Sequence, residues 1–135
     1  MEQWEAAYLA GIIDGEGSIT LTKMHKGEYR RLCITIPSTD KELLDYLHQL
    51  IGGVLIRKKN YEPDIHKNSY TLVIKKKNDV FFILERISPF LRIHKKRNRA
   101  LWILNNYNKV TPRNGKYNKI MLKEKQYFES EFFNL

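Results

Sequence analysis

The sequence predicts an α/β (α+β) domain of αββαββα order, with a four-stranded antiparallel sheet, helices on one face of it and one further helix at the C-terminus. Three observations predict it. A strand–strand–helix pattern occurs twice after a lead helix. Each predicted strand divides into an apolar and a polar face. The 135 residues, 42% of them apolar, suit one ordinary domain with a real core.

The elements follow in order. Trp4, Tyr8, Leu9, Ile12 and Ile13 sit at helical spacing, which predicts a helix over 4–13. Gly15 and Gly17 end it, because glycine is a poor helix former. A strand follows, with Ile19 and Leu21 on one face and Ser18, Thr20 and Thr22 on the other. Lys26-Gly27 offers a turn. The second strand sets Leu32, Ile34 and Ile36 against Arg31, Cys33 and Thr35, and Pro37 ends it by removing a ladder donor. Thr39 and Glu42 have capping-box spacing. The helix behind them buries Leu43, Leu44, Leu47, Leu50 and Ile51, and Gly52-Gly53 terminates it.

The pattern then repeats. A strand is expected from Val54 to about Asn60, then a polar loop with Pro63. The next strand sets Tyr70, Leu72 and Ile74 against Ser69, Thr71 and Val73. Asn78 or Asp79 is the expected cap of a helix carrying Phe81, Leu84 and Ile87, which Pro89 closes. A fourth helix carries Ala100, Leu101, Ile103, Leu104 and Tyr107. Residues 1–108 are thus read as the main domain. Residues 109–135 are read as a basic linker, Thr111 to Lys116, and a helix from Ile120 to Phe133. Met121, Phe128 and Phe132 would pack that helix onto the same domain.

Charge narrows the function. The net charge is +9, which points to a polyanion: DNA, RNA or an anionic membrane. The apolar runs are too short to span a bilayer, so no membrane partner is expected. No basic-then-apolar leader opens the chain, and Cys33 is the single cysteine, so an intracellular, reducing location is expected. Residues 1–52 carry 5 basic and 8 acidic side chains, while 53–135 carry 19 and 7. The polar sheet face would present Thr20, Thr22, Arg31, Thr35, Arg57, Lys59, Ser69, Thr71 and Lys75. That surface is basic and rich in hydroxyls, of the kind that reaches phosphates and base edges. An ordinary solvated sheet face would look similar.

The segment with chemical potential is Leu9-Ala10-Gly11-Ile12-Ile13-Asp14-Gly15-Glu16-Gly17. It sets two acids at a helix C-terminus, where the dipole disfavours negative charge. A divalent cation would compensate, since Mg²⁺ takes carboxylate, water and phosphate oxygens. On its own, Asp-Gly-Glu-Gly reads more simply as a soluble surface turn.

The nine residues together resemble the signature of the LAGLIDADG homing endonucleases. Leu9, Ala10, Gly11, Ile13, Asp14 and Gly17 match it by letter, and Glu16 keeps the acid at its eighth position. The resemblance covers about residues 4–108 and extends to the order of elements. It implies a saddle-shaped sheet and a homodimeric, site-specific DNA endonuclease acting on long, roughly palindromic duplex DNA. The implied cofactor is Mg²⁺, for which Mn²⁺ is expected to substitute, and the implied products are breaks with short 3′ overhangs. Glu16 and the Gly15 carbonyl are the implied metal ligands. Ala7, Ala10 and Gly11 are the implied small residues of a twofold helix interface, joined by Asp14 in a structural role; packing within the chain also fits that trio. A single motif implies that two chains supply the two acids. The family often places a lysine after a Pro-aromatic-Leu segment. Here that segment is Pro89-Phe90-Leu91, which puts His94 at the lysine position and Lys95 one residue on, and either fits the basic role. Ser38 matches the family's water-organising position and equally fits a helix-cap hydroxyl. A non-cleaving nucleic-acid binder, such as an intron maturase or a regulator, is the competing class.

Overall fold

Ala6, Leu9, Ala10 and Ile13 recur at i, i+3, i+4 and i+7, and they are the buried residues of the first helix, α1 (Gln3–Gly15). The computed structural model, which describes residues 1–23, 25–27 and 29–135, continues through β1 (Ser18–Thr22), β2 (Arg31–Ser38), α2 (Lys41–Ile51), β3 (Val54–Lys58) and β4 (Ser69–Ile74). Next come α3 (Lys77–Ile87), a 3₁₀ turn (Ser88–Phe90) and α4 (His94–Asn106). A second 3₁₀ turn (Asn108–Val110) precedes α5 (Lys119–Phe133).

The four strands form one antiparallel sheet in the order β1-β2-β4-β3. Its inner face carries Ile19, Leu21, Leu32, Ile34, Ile36, Leu72 and Ile74, all buried, under the helices. Val80, Ile83, Leu84 and Ile87 of α3 and Ala100 and Ile103 of α4 join the same core. So do Phe128 and Phe132 of α5, which attach the C-terminal helix to this core. Truncating one such fully buried leucine or isoleucine to alanine costs about 2–5 kcal/mol. Among the described residues no helix is long and apolar enough to cross a membrane.

Gly17 shows why the α1–β1 junction needs glycine. A Cβ there would lie 2.9 Å from the Ile13 Cα and 3.2 Å from the Thr35 carbonyl oxygen. Gly53, at φ +89°, approaches the Val73 carbonyl in the same way, at 2.8 Å.

Four local expectations are corrected. Thr39 does not cap α2: the helix starts at Lys41, and the preceding turn is closed by Ser38 Oγ accepting the Asp40 N–H at 2.9 Å. Neither Asn78 nor Asp79 caps α3, which starts at Lys77. Asp79 lies in the first turn, where its charge complements the helix dipole. Leu101 lies outside the core, 41% exposed. Arg57 does not face the open side of the sheet. It pairs with Tyr70, on the helix side, and Lys58 takes the open side with Val54 and Ile56. The run Val-Leu-Ile is apolar throughout, so its pattern could not choose a face; pairing with β4 does.

Candidate functional site

The C-terminus of α1 meets the N-terminus of α4, and each supplies what the other lacks. The last carbonyls of a helix have no intrahelical partner. Here Lys96 Nζ, from the first turn of α4, donates to the Ile13 and Asp14 carbonyl oxygens, both at 2.7 Å. The α4 N-cap, Ile93, has no side-chain acceptor to offer its own helix. The Asp14 carboxylate instead fastens the chain entering α4, accepting the Arg92 N–H at 2.8 Å and the N-cap Ile93 N–H at 3.2 Å. An ammonium lies at the negative end of one dipole and a carboxylate at the positive end of the other.

This clasp fixes the next two residues. Glu16 is anchored by its N–H to the Ile12 carbonyl at 2.7 Å, and Gly17 to the Ile13 carbonyl at 3.0 Å. Both Gly15 and Glu16 are exposed. Among the described residues, neither the Glu16 carboxylate nor the Gly15 carbonyl has a hydrogen-bond or ion-pair partner. A carboxylate beside a backbone carbonyl is the hard-oxygen donor set that Mg²⁺ takes, and the pair fits such an ion. The described residues form no cluster of three or more metal-ligating side chains, so waters and ligand oxygens would complete the shell.

His94 and Lys95 open α4 beside this junction, both exposed. The Arg97 guanidinium contacts His94 Nδ1 at 3.0 Å. A guanidinium only donates, so Nδ1 accepts and the ring proton sits on Nε2. Ser38 stands at the same end of the sheet as Glu16, because Ser18 pairs with Thr35 and β2 runs on past the start of β1. Its hydroxyl already serves the Asp40 turn.

The proposed interface residues of α1 divide. Ala7 and Gly11 are exposed and fall on one stripe with Trp4, Tyr8 and Gly15. Ala10 does not belong to it: it is fully buried in the core of its own chain, one face round the helix. Asp14 is engaged within its own chain, as above. Tyr8 packs edge-on against Tyr46, whose hydroxyl is buried without a partner.

The open sheet face brings together most of the predicted surface residues. Thr20 stands opposite Cys33, and Thr22 opposite Arg31. Thr35 Oγ1 and Ser18 Oγ are 2.6 Å apart. Thr71 pairs with Pro37 and Ile56, and Ser69 with Lys58. Lys75 follows β4 at this face and is close enough to Cys33 to pull its thiol pKa down, against the stronger upward push of burial. Lys59 lies beyond the end of β3, its ammonium 4.9 Å from the Tyr61 ring centre. Sequence reading placed Ser18 on this face without singling it out, and gave Lys96 and Lys58 no place in the site. Lys58 was recoverable from strand pairing alone; Lys96 acts across 82 and 83 residues, beyond any local pattern.

Comparison with known proteins gives this geometry a lineage. Residues 3–111 match the family model described as a LAGLIDADG-like domain. Among solved structures, the chain is similar to the homing endonuclease I-CvuI in complex with its target in the presence of calcium. The TM-score is 0.75 and the identity 21%, over 98% of this chain and 82% of that one. An archaeal intron-encoded homing endonuclease, I-Vdi141I, complexed with DNA, matches with TM-score 0.66 and 18% identity, over 99% and 85%. I-GzeII, a LAGLIDADG homing endonuclease in complex with a DNA target, matches with TM-score 0.69 and 16% identity. That match takes in 94% of this chain and only 43% of the other. The match to the family model spans most of the sequence, and the chain belongs to the LAGLIDADG-like domain family.

Proposed function

We propose that this chain is a homodimeric, Mg²⁺-dependent, site-specific DNA endonuclease that hydrolyses phosphodiesters in long, roughly palindromic duplex DNA and leaves short 3′ overhangs. One observation carries the reading: an unpartnered Glu16 carboxylate and Gly15 carbonyl project from a clasped helix end, at the edge of a basic, hydroxyl-rich sheet face. Bound there, Mg²⁺ supplies Lewis-acid stabilisation of the phosphate and an activated water. Glu16 and Gly15 would hold it, and Lys96 keeps them in place. Lys95 and the Nε2–H of His94 offer positive charge and a donor toward a phosphate oxygen. Ser38 is proposed to orient water at the same end of the sheet.

Each chain carries one such acid, and cutting two strands takes two. The exposed stripe of Trp4, Ala7, Tyr8 and Gly11 is the proposed twofold contact, where small residues permit close helix approach. The open sheet faces of two such chains would then follow one major groove each. I-GzeII, more than twice the length of its match to this chain, is consistent with two such units in one protein.

A non-cleaving nucleic-acid binder is the second reading, and His94 favours it. An imidazole, in contact with Arg97 through Nδ1, stands where the resemblance places a lysine. I-CvuI with another target, in the presence of magnesium, was found with its DNA not cleaved, so binding and cutting need separate measurement. The decisive experiment incubates a selected duplex with wild-type protein and with Glu16→Gln, in Mg²⁺ and in Ca²⁺. The nuclease reading expects cutting only by wild type in Mg²⁺, with binding retained by the variant. Cutting by Glu16→Gln would overturn the assignment of Glu16.

A further inference from the structure

We propose that Val54, Ile56 and Val73 read thymine methyl groups, so that the recognised duplex carries A·T pairs at fixed positions beneath β3. This rests on the nuclease reading and adds the chemistry of part of its target.

The open sheet face is otherwise hydroxyl-bearing and cationic, yet its β3 end is apolar. Val54 is 62% exposed and Ile56 50%. Val54 pairs directly with Val73, and the three side chains line a groove of about 300 Å³ with Gly53, Lys75 and Lys76. Exposed β-branched residues on a sheet face gain nothing from water, so their placement calls for an apolar partner. Lys75 and Lys76 line the groove with one acid, Asp79, and Lys58 lies on the same face of β3, so the rim of the patch is net positive. That rim repels a second copy of this basic chain and attracts a polyanion. In the major groove of DNA the one apolar group on a base edge is the C5 methyl of thymine.

Spacing agrees. Val54 and Ile56 are two residues apart on one face, about 6.8 Å along the strand, which is about two base-pair steps of 3.4 Å. The patch is also held firmly. Gly53, at positive φ against the Val73 carbonyl, fixes where β3 begins and so which of its residues face outward.

The test uses a duplex selected by this protein from a random library, with each thymidine replaced singly by deoxyuridine. That change removes only the methyl group. The expected result is a loss of about fourfold in affinity at one or two positions per half-site, the worth of burying one methyl-sized group. The triple variant Val54→Ser/Ile56→Ser/Val73→Ser should bind thymine and uracil duplexes equally. Its melting temperature is read alongside, and the single variants Val54→Ser and Ile56→Ser, each expected to lose discrimination at one position, serve where the triple variant melts lower. A duplex bound tightly but indifferent to every deoxyuridine overturns this inference and leaves the nuclease reading standing. Discrimination that persists unchanged in the folded serine variants also overturns it. Failure to bind any duplex in a salt-dependent way removes both readings together.

Discussion

Two junctions in this molecule are each built around one lysine, and they treat its charge in opposite ways. At the α1–α4 junction, Lys96 gives its protons to two helix-end carbonyls, where the dipole welcomes a cation. At the α5 junction, Lys125 is 1% exposed, donates to Thr111 Oγ1 at 2.7 Å, and lies 4.3 Å from the Tyr107 ring centre. Burial pushes its pKa down to about 8, against a smaller upward pull from Glu129. The first lysine serves geometry beside the proposed metal site. The second fastens the C-terminal helix and carries a desolvation cost. A buried cation is thus useful where a fixed dipole faces it, and merely tolerated where only a hydroxyl and aromatic rings do.

The sharpest test of this contrast lies at the residue Lys96 supports. Glu16→Gln should lower cleavage by roughly 10³-fold or more, with the melting temperature unchanged, in a plasmid-cutting assay. Next comes the twofold contact: Gly11→Glu puts like charges face to face, and sedimentation should show monomer with cleavage lost in parallel. Lys96→Met takes the lysine donor from the Asp14 carbonyl and one of two donors from the Ile13 carbonyl, and should cost about 1.5–3 kcal/mol in chemical denaturation, with cleavage reduced as Glu16 loosens. Gly17→Ala forces a Cβ against the Ile13 backbone and should cost about 1–3 kcal/mol by the same measurement.

The smallest effect belongs to Lys125. Its folded pKa lies below the unfolded value of 10.5, so between about pH 8 and 10.5 the unfolded chain binds more protons. Its contribution to stability therefore rises with pH through that window. Burial of Cys33, Tyr107 and Tyr117 raises their pKa values, which works in the opposite direction at alkaline pH. Denaturation curves of wild type minus Lys125→Met isolate the lysine: the difference should shift toward wild type as pH rises.

Sequence periodicity carried the element order, the helix stripes and the inner faces of β1, β2 and β4, because burial imposes a local repeat. The motif named Glu16 and Gly15 for the same reason: their spacing is local. What escaped was non-local or ambiguous in pattern. Lys96 and Asp14 meet partners about 80 residues away. The facing of Arg57 was hidden by three consecutive apolar residues. Ala7 and Ala10 look alike as small residues, and only the position of Leu9 and Ile13 around the helix separates the exposed one from the buried one.

The two rims of the sheet differ in how they refuse strangers. Along β1, the Arg99 side chain takes the Ile19 carbonyl at 3.1 Å and stacks over Phe132 and Phe133, so that rim is physically occupied. Along β3, the other edge of the sheet, no further strand pairs among the described residues, and the outer row of its amides and carbonyls lies beside the exposed Val54 and Ile56. Such a row is a template for adding another strand, and charged side chains are the usual deterrent. Arg57, Lys58 and Lys59 provide it here, which makes guarding this rim a second duty of the basic run. Neutralising the three while keeping the fold would leave that rim open to pairing with another chain.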